Sequence, residues 1–265
     1  MDQGKHKEFQ RFCSAGCRDA AARAFKSKKV MAAVCCRDSV STAFFSQLPG
    51  QMFAGVRLST AFPLDKARDD LTREFLANKE LTHMMIIDAD VVAAPNLADL
   101  LLVDAPLVSA FCWIAGPFRG KFLPMPGIYH WTPSEENVFR TWSMNEVRKK
   151  MEAARLEGRP PVVDADLVGG GCWMVDRKTV EALEDPLGSW WRLTWEQGKK
   201  IRHGEDVYFY ERARDAGLKF KVRLDVECGH MKSVDLRYFA HAVYGMLPPG
   251  FYEEIDAKEG GHDDA

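Results

Sequence analysis

Two carboxylates follow an apolar run in the first half of the chain. The run is Met84–Ile87, and Asp88, Ala89 and Asp90 come directly after it. Such a run predicts a buried strand of a parallel sheet, and open α/β folds bind ligands at the carboxyl edge of that sheet. Paired carboxylates there could bind Mg²⁺ or Mn²⁺, which take oxygen ligands and bridge to phosphate. A solvated pair that caps the next helix is the alternative, and the motif alone favours neither.

A second acidic pair, Glu205 and Asp206, stands at the predicted start of a helix over residues 204–216. A carboxylate at a helix start, beside a bound substrate, could act as a general base. Acidic residues in a first turn also stabilise a helix through its dipole, so a purely structural role is the alternative.

His230 follows a strand predicted over residues 218–226. As a third ligand beside two carboxylates, an imidazole would complete a metal site. A single histidine is more often a packed or loop residue, so this assignment depends on its neighbours in the fold.

A glycine run at 169–171 and a basic stretch further along could contact an anionic ligand. Consecutive glycines let a ligand approach the backbone closely at Gly170 and Gly171, although a bulge or tight turn is the alternative. Lys199 and Arg202 could neutralise a departing diphosphate, or simply lie on a solvated face.

Strands and helices alternate along the chain and must position these residues. Apolar runs predict strands at 29–36, 52–58, 84–87, 106–113, 163–176 and 218–226. Amphipathic patterns predict helices at 65–79, from Pro95 to about Val103, at 177–184 and at 204–216. The alternation predicts an α/β fold with a mostly parallel mixed sheet flanked by helices. The proline-containing stretch 114–162, with a charged helix near 134–157, is predicted as an insertion or acceptor-side flap.

Bulk properties limit the class of protein. The 265 residues suit one α/β domain, predicted over 1–249, with a disordered acidic tail at 250–265. With 36 basic and 38 acidic residues, no global positive field attracts nucleic acid. Seven cysteines without a CxxC pair indicate small apolar residues in a reducing cytosol. No apolar run approaches the roughly 20 residues of a membrane helix, so a cytoplasmic protein without a transmembrane segment is predicted.

Taken in order, these segments resemble family-2-type glycosyltransferases of the Rossmann-like GT-A fold, over residues 29–232. Residues 67–71 and 81–90 resemble the helix and strand that lead into that family's DxD motif. Residues 95–112 resemble the next helix and strand, and 166–175 the glycine-rich acceptor-side strand. Residues 204–209, 216–217 and 229–230 resemble the acidic helix, its glycine end and the metal-binding histidine.

The resemblance implies a metal-dependent glycosyltransferase that moves a sugar from a nucleotide-diphosphate sugar to an acceptor hydroxyl with inversion. It implies Mn²⁺ or Mg²⁺ bound by Asp90, Asp88 and His230, with Asp90 and His230 as the most direct ligands. It implies Asp206 as the general base, with Glu205 as the second candidate. The residues expected to bind the nucleotide-sugar donor are Asp38, Arg68, Asp88, Gly170, Gly171, Lys199 and Arg202.

Other functions stay open at this point. A haloacid-dehalogenase-like phosphatase could use Asp88 and Asp90, although its nucleophile strand usually opens the domain and here two βα units come first. A nucleotide-sugar-binding protein without catalysis and a nucleotidyltransferase are further alternatives. The acceptor could be a glycan, a small molecule or a protein. A modified nucleic acid also stays open, because the 114–162 stretch is locally basic.

Overall fold

The computed structural model describes residues 26–36, 48–118, 121–132, 138–169, 171–195 and 201–231. Its strands are β1 (Val30–Cys35), β2 (Phe53–Ser59), β3 (His83–Asp88), β4 (Val91–Val92), β5 (Leu107–Phe118), β6 (Lys121–Pro126), β7 (Ile128–Thr132), β8 (Val138–Thr141), β9 (Val162–Ala165), β10 (Leu167–Val168), β11 (Cys172–Asp176), β12 (Thr194–Trp195), β13 (Ile201–His203) and β14 (Phe220–His230). Its helices are α1 (Leu64–Ala77), α2 (Met144–Leu156), α3 (Arg177–Ala182) and α4 (Glu205–Asp215), with short 3₁₀ helices at Gly50–Met52 and Leu97–Leu102.

Two compact units divide the described residues. The first comprises residues 26–114 and 125–231 with the gaps given above, and it contains the core and all the residues discussed below. The described residues of the second are 115–118 and 121–124, in β5 and β6.

A mixed sheet forms the centre of the first unit, with strand order β2-β1-β3-β11-β5-β14-β4. Strand β1 is parallel to β2 and β3, and β5 is parallel to β14. Between these two groups β11 runs antiparallel to both β3 and β5. The five strands β2, β1, β3, β5 and β14 therefore point the same way, which confirms the predicted mostly parallel α/β architecture.

The central parallel strands are apolar because buried residues pack against both faces of the sheet there. Every residue of β1 is buried, as the continuous run Val-Met-Ala-Ala-Val-Cys predicts for such a strand. On one face α1 buries Ala67, Leu71 and Phe75, spaced four residues apart, against the core. The same helix carries Arg68 and Asp69, which are also buried. Packing of α1 against the core therefore buries these two charged residues as well.

The stretch 114–162 differs from its prediction. The helix expected near 134–157 is shorter, because Ser143 and Glu146 form a capping box that starts α2 at Met144. Residues 138–141 are strand β8, which joins β7 and β10 in a separate three-stranded sheet. The single strand expected over 163–176 is also divided, into β9, β10 and β11, and the helix from Pro95 is a 3₁₀ helix.

None of the helices in the described ranges is both long and apolar enough to cross a membrane. The five cysteines in those ranges are free and buried, in agreement with their interpretation as small apolar residues. The predicted acidic tail at 250–265 lies outside the described residues, and the predicted extent of the domain stays a prediction.

Candidate active site

Asp88 lies where three strands meet at one edge of the sheet. It is the last residue of β3 and pairs in register with Cys35, the last residue of parallel β1. On its other side its backbone N–H donates to the carbonyl oxygen of Gly171, at 2.7 Å, just before β11 begins. The first acidic motif thus lies at the carboxyl edge of the parallel strands, where the sequence predicts it.

Gly171 must lack a side chain for Asp88 to occupy this place. A Cβ atom built on Gly171 would lie 2.0 Å from Asp88 Cγ and 2.2 Å from its Oδ2. The absence of a side chain at Gly171 therefore permits close contact with Asp88, as well as the close approach of a ligand to the backbone that the sequence suggested.

Gly171→Ala is expected to lower the free energy of unfolding by about 1–3 kcal/mol, because Asp88 or the β11 backbone must shift to relieve the overlap. Urea denaturation measures this. Gly50→Ala is the matched control, since no atom lies within 4 Å of a Cβ built there. Equal stability of the two variants would show that the close contact has no energetic consequence.

Arg68 contacts both acidic motifs. Its Nη2 donates to Asp88 Oδ1 at 3.1 Å, and its Nη1 lies 3.4 Å from Glu205 Oε1. The Arg68 and Glu205 side chains are only 6% and 10% exposed, whereas Asp88 is 29% exposed. Residues from α1, β3 and α4 thus share one buried positive charge.

The Arg68 guanidinium is incompletely hydrogen-bonded. Neither Nε nor Nη1 makes a hydrogen bond within the part of the chain that the structure describes, and Nη1 contacts Glu205 only as an ion pair. Buried donors without acceptors cost free energy. The fit of Arg68 to its carboxylates is therefore imperfect, and the group has donors left over for another acceptor.

Burial and charge act in opposite directions on this cluster. Burial lowers the pKa of Arg68, but Asp88, Glu205 and Asp206 outweigh it and raise the pKa, so the guanidinium stays charged. Burial raises the pKa of Glu205, although Arg68 opposes the effect. Burial also raises the pKa of Cys35 to about 11, so this neighbour of Asp88 is a neutral thiol.

A loop at residues 189–191 packs over Arg68, and the residue that anchors this loop was not predicted from the sequence. The carboxylate of Asp69 accepts hydrogen bonds from Trp190 N at 2.9 Å, Trp191 N at 3.3 Å and Ser189 Oγ at 2.5 Å. The indole of Trp191 lies 5.0 Å from the Arg68 guanidinium as a cation–π contact. The adjacent residues Arg68 and Asp69 therefore make different contacts. Arg68 contacts the carboxylates of the acidic cluster, and Asp69 anchors the loop at 189–191.

The two tryptophans that follow Ser189 are core residues. Trp190 and Trp191 are buried, and Trp191 stacks on Phe209 with ring centroids 4.7 Å apart.

Asp90 and His230 meet at the same edge, although 140 residues separate them. Strand β4 pairs His230 with Val91, and Met231 N donates to the Asp90 carbonyl at 2.7 Å. This pairing places His230 Nε2 3.2 Å from Asp90 Oδ1. The carboxylate–imidazole pair predicted from motif order is thus present in the fold.

The other ring nitrogen of His230 fixes which atom faces Asp90. Nδ1 lies 2.9 Å from the backbone carbonyl of Trp113, which can only accept, so Nδ1 carries hydrogen. In a neutral imidazole Nε2 is then a lone pair directed at the Asp90 carboxylate. Two acceptors at this distance are stabilised by a proton on Nε2 or by a cation bound to both.

Asp206 lies in the first turn of α4, next to Glu205 and more exposed than it. Its Oδ1 accepts a hydrogen bond from Val207 N at 2.8 Å, and a Cβ on Gly204 would come 2.8 Å from the same oxygen. The negative charge of Asp206 raises the pKa of two tyrosines. Burial and then Asp206 raise the pKa of Tyr129 to about 12, and the same causes raise the pKa of Tyr210.

Six of the predicted site residues form two contact groups at this edge of the sheet. One is a connected cluster of Arg68, Asp88, Gly171 and Glu205. The other is the pair of His230 and Asp90, and Asp90 lies two residues after Asp88 in the chain. Arg202 lies in β13, just before α4. Three predicted donor-binding residues, namely Asp38, Gly170 and Lys199, lie outside the described residues. Within the described ranges no group of three or more His, Cys, Asp or Glu side chains is arranged to bind a metal ion. The structure therefore does not bring Asp88 together with Asp90 and His230 as a third metal ligand.

Comparisons with known proteins find similarity in structure only. No protein-family model and no curated protein matches the sequence. Among solved structures, A197 from STIV matches with a TM-score of 0.47 at 12% identity, over 77% of this chain and 86% of that chain. GalNAc-T7 with UDP, GalNAc and Mn²⁺ matches at 0.49 and 12% identity, over 78% of this chain and 44% of that chain.

A Drosophila β-1,4-galactosyltransferase 7 mutant in complex with manganese, UDP-Gal and xylobiose matches with a TM-score of 0.41 at 15% identity, over 86% of this chain and 79% of that chain. GT-A glycosyltransferases, the fold family expected from the motif order, are thus among the structures to which this chain is similar. At these TM-scores and identities the likeness carries no argument about activity, which must come from the geometry of the site.

Proposed function

We propose that this protein is a metal-dependent glycosyltransferase that uses a nucleotide-diphosphate sugar. The observation that carries the proposal is the meeting of Asp90 with Nε2 of His230 at the carboxyl edge of the sheet, beside the Arg68–Asp88–Glu205 cluster. A metal-binding pair next to a donor-binding cluster would bind the nucleotide-diphosphate sugar and stabilise the charge on the leaving diphosphate.

The residues present suit Mn²⁺ or Mg²⁺. Asp90 supplies a carboxylate oxygen and His230 a nitrogen whose orientation the Trp113 carbonyl sets, which is how metal-binding histidines are usually supported. Two protein ligands leave positions for diphosphate oxygens, a pattern common for these ions. When bound, the ion supplies charge stabilisation to the leaving diphosphate.

Electrostatics also favour a cation at this edge. Among the side chains that the structure describes here, Asp88, Asp90, Glu205 and Asp206 are four carboxylates and Arg68 is the one buried guanidinium beside them. This local excess of negative charge repels a diphosphate. Binding of a divalent cation reduces that repulsion, so donor binding is expected to depend on the metal.

The cluster provides distinct residues for donor and acceptor. Asp88, more exposed than Arg68 and oriented by it, is proposed to contact the donor directly. Asp206 is proposed as the general base that takes the proton of the acceptor hydroxyl, with in-line attack at the anomeric carbon and inversion. Glu205 is bound in the ion pair with Arg68, and we assign it to positioning that guanidinium.

Thermal stabilisation tests donor and metal together. The protein is heated with UDP-, GDP-, TDP- and CMP-sugars, each with and without Mn²⁺. A ligand that binds only the folded state raises the melting temperature, by an amount that grows with its concentration over Kd. One nucleotide family is expected to give a rise that requires Mn²⁺, and that rise should disappear in Asp90→Ala.

Asp104→Ala is the matched control, since Asp104 is an exposed aspartate between Val103 and Ala105, away from the site, and its variant should keep the full rise. A rise that persists in Asp90→Ala would contradict the metal assignment. No rise with any nucleotide sugar, together with a rise for Mg²⁺ plus a phosphate mimic, would instead support the phosphatase that uses Asp88 and Asp90.

A further inference from the structure

Strand β14 contains a bulge a few residues before His230. Up to Arg223 it pairs residue by residue with β5, and there Arg223 lies opposite Ala110. The next pair joins Glu227 to Phe111, so β14 has three residues between these two pairs where β5 has none. Such an insertion bends a strand and is rare between parallel strands. The register of every residue after it, His230 included, therefore depends on how the bulge is held.

The bulge is also the point at which β14 changes its neighbour. Before the bulge β14 pairs with β9, as far as the pair of Arg223 and Val162. After the bulge it pairs with β4, where His230 lies opposite Val91. Because Asp90 directly precedes β4, the bulge brings the end of β14 to the strand that follows the acidic motif.

An ion pair within the bulge fixes its geometry. Arg223 Nε donates to Asp225 Oδ1 at 2.7 Å, and Nη2 of the same guanidinium donates to Asp225 Oδ2 at 2.9 Å. The Arg223 side chain is 7% exposed and that of Asp225 is 17% exposed. Two parallel charge-assisted hydrogen bonds hold such a pair in one orientation. We call this ion pair the bulge clamp.

The bulge clamp also contacts the segment that follows β4. Arg223 Nη1 donates to the backbone carbonyl oxygen of Asp99 at 3.1 Å. Asn96 Nδ2 donates to the backbone carbonyl oxygen of Asp225, also at 3.1 Å. Asn96 and Asp99 lie at the start of the 3₁₀ helix that comes after β4 in the chain. The clamp therefore ties β14 to the chain segment that leaves β4.

We propose that the bulge clamp positions His230 against Asp90 and thereby sets the affinity of this pair for a divalent metal ion. Asp225 lies five residues before His230, and Asn96 lies six residues after Asp90, so the clamp is close in sequence to both ligands. A slip of β14 by one residue against β4 would turn His230 to the other face of its strand, away from Asp90. The effect on metal affinity rests on the proposed function, whereas the positioning of the pair can be tested without metal.

Hydrogen exchange in the metal-free protein tests the positioning. The amide of Met231, which donates to the Asp90 carbonyl oxygen at 2.7 Å, reports the pairing of β14 with β4. The amide of Val222 lies before the bulge, between β5 and β9, and reports the rest of the strand. Asp225→Asn keeps the shape of the side chain and removes its charge. By NMR, exchange at Met231 is expected to speed up about tenfold relative to Val222, the effect of losing one charge-assisted hydrogen bond.

Titration with Mn²⁺ alone tests the effect on affinity. Asp225→Asn is expected to bind Mn²⁺ about 10- to 100-fold more weakly than the wild type, the range for residues that orient a metal ligand. Arg223→Met removes the whole clamp and should weaken binding at least as much, and Asp225→Asn serves alone if that variant does not fold. Asp164→Asn is the matched control, since Asp164 pairs with Lys221 of β14 before the bulge and both side chains are at least 40% exposed. It should keep the wild-type affinity.

Three results would overturn the inference: an unchanged ratio of Met231 to Val222 exchange in Asp225→Asn, wild-type Mn²⁺ affinity in that variant, or equal weakening in Asp164→Asn. A different result separates the inference from the proposed function. Wild-type protein that binds no Mn²⁺, together with faster exchange at Met231 in Asp225→Asn, would overturn the proposed metal site and the effect on its affinity. It would also confirm that the clamp positions His230.

Discussion

Asp206→Asn is expected to reduce the rate of sugar transfer about 10²- to 10⁴-fold, the range for loss of a general base. Asparagine keeps the shape of the side chain and its hydrogen bond with Val207 N, but it cannot take a proton from the acceptor. The donor site is built by other residues, so the Mn²⁺-dependent thermal shift should persist. The measurement is nucleoside diphosphate release at saturating donor.

The control for this variant is Glu211→Gln, which removes the same charge from the same helix, α4, beyond its first turn. It should keep the wild-type rate, which would show that the position of Asp206 matters and the total charge of the helix does not. Wild-type transfer by Asp206→Asn would show that the base is another residue. If Glu205→Gln were inactive at the same time, the roles of the two acidic residues would be reversed.

Arg68→Met is expected to lower the free energy of unfolding by about 3–5 kcal/mol, as removal of one partner from a buried ion pair generally does. Methionine fills much of the same volume, but it leaves Asp88 and Glu205 without their shared positive charge. Urea denaturation at neutral pH measures the loss. The effect should be large because the guanidinium and Glu205 are both almost fully buried.

Arg73→Met is the matched control on the same helix. Its ion pairs with Asp69 and Asp70 involve a half-exposed side chain, and exposed pairs of this kind contribute about 0–1 kcal/mol. Similar losses in the two variants would show that the buried cluster has no special energetic weight.

The cost of Arg68→Met should also depend on pH. Burial raises the pKa of Glu205 even in the presence of Arg68, and without Arg68 the opposing effect is gone. The folded variant then binds a proton more tightly than the unfolded chain, so its stability rises as the pH falls toward the raised pKa. Adding Glu205→Gln should recover part of the loss at neutral pH, since it removes one of the two unpaired carboxylates.

The sequence was sufficient for the parts of the fold whose periodicity is strong. Strand β1 is apolar throughout and α1 has one clear apolar face, so both elements were predicted within one or two residues. Asp88, Asp90, Glu205 and Asp206 were predicted as site residues because acidic residues directly after an apolar strand or at a helix start form a local pattern. His230 was predicted because it follows a strand, and the roles of all five residues stay predictions. The order of such patterns along the chain is visible without coordinates.

The contacts that the sequence did not predict join residues that are far apart in it. Nothing near Asp69 indicates that its carboxylate accepts hydrogen bonds from the backbone of a loop more than a hundred residues later. Tyr129 lies in a stretch whose prolines and charges suggested a flap with a helix, and its strand was not predicted. The signal available for it was Gly169, where a Cβ atom would lie 3.1 Å from the Tyr129 ring, but a glycine run indicates close contact without saying with what.

The separation of Asp90 from His230 has a consequence for how the protein acquires activity during folding. The two proposed ligands are 140 residues apart in the chain, and β14, which carries His230, is the last strand of the described residues. Contacts between such distant residues form slowly, because the intervening chain must be ordered first. A partly folded or partly synthesised chain has Asp90 without His230, so it lacks the complete pair and should bind metal weakly. Under the proposed function, metal binding would therefore report completion of the sheet, and transfer activity should appear only when the last strand has docked.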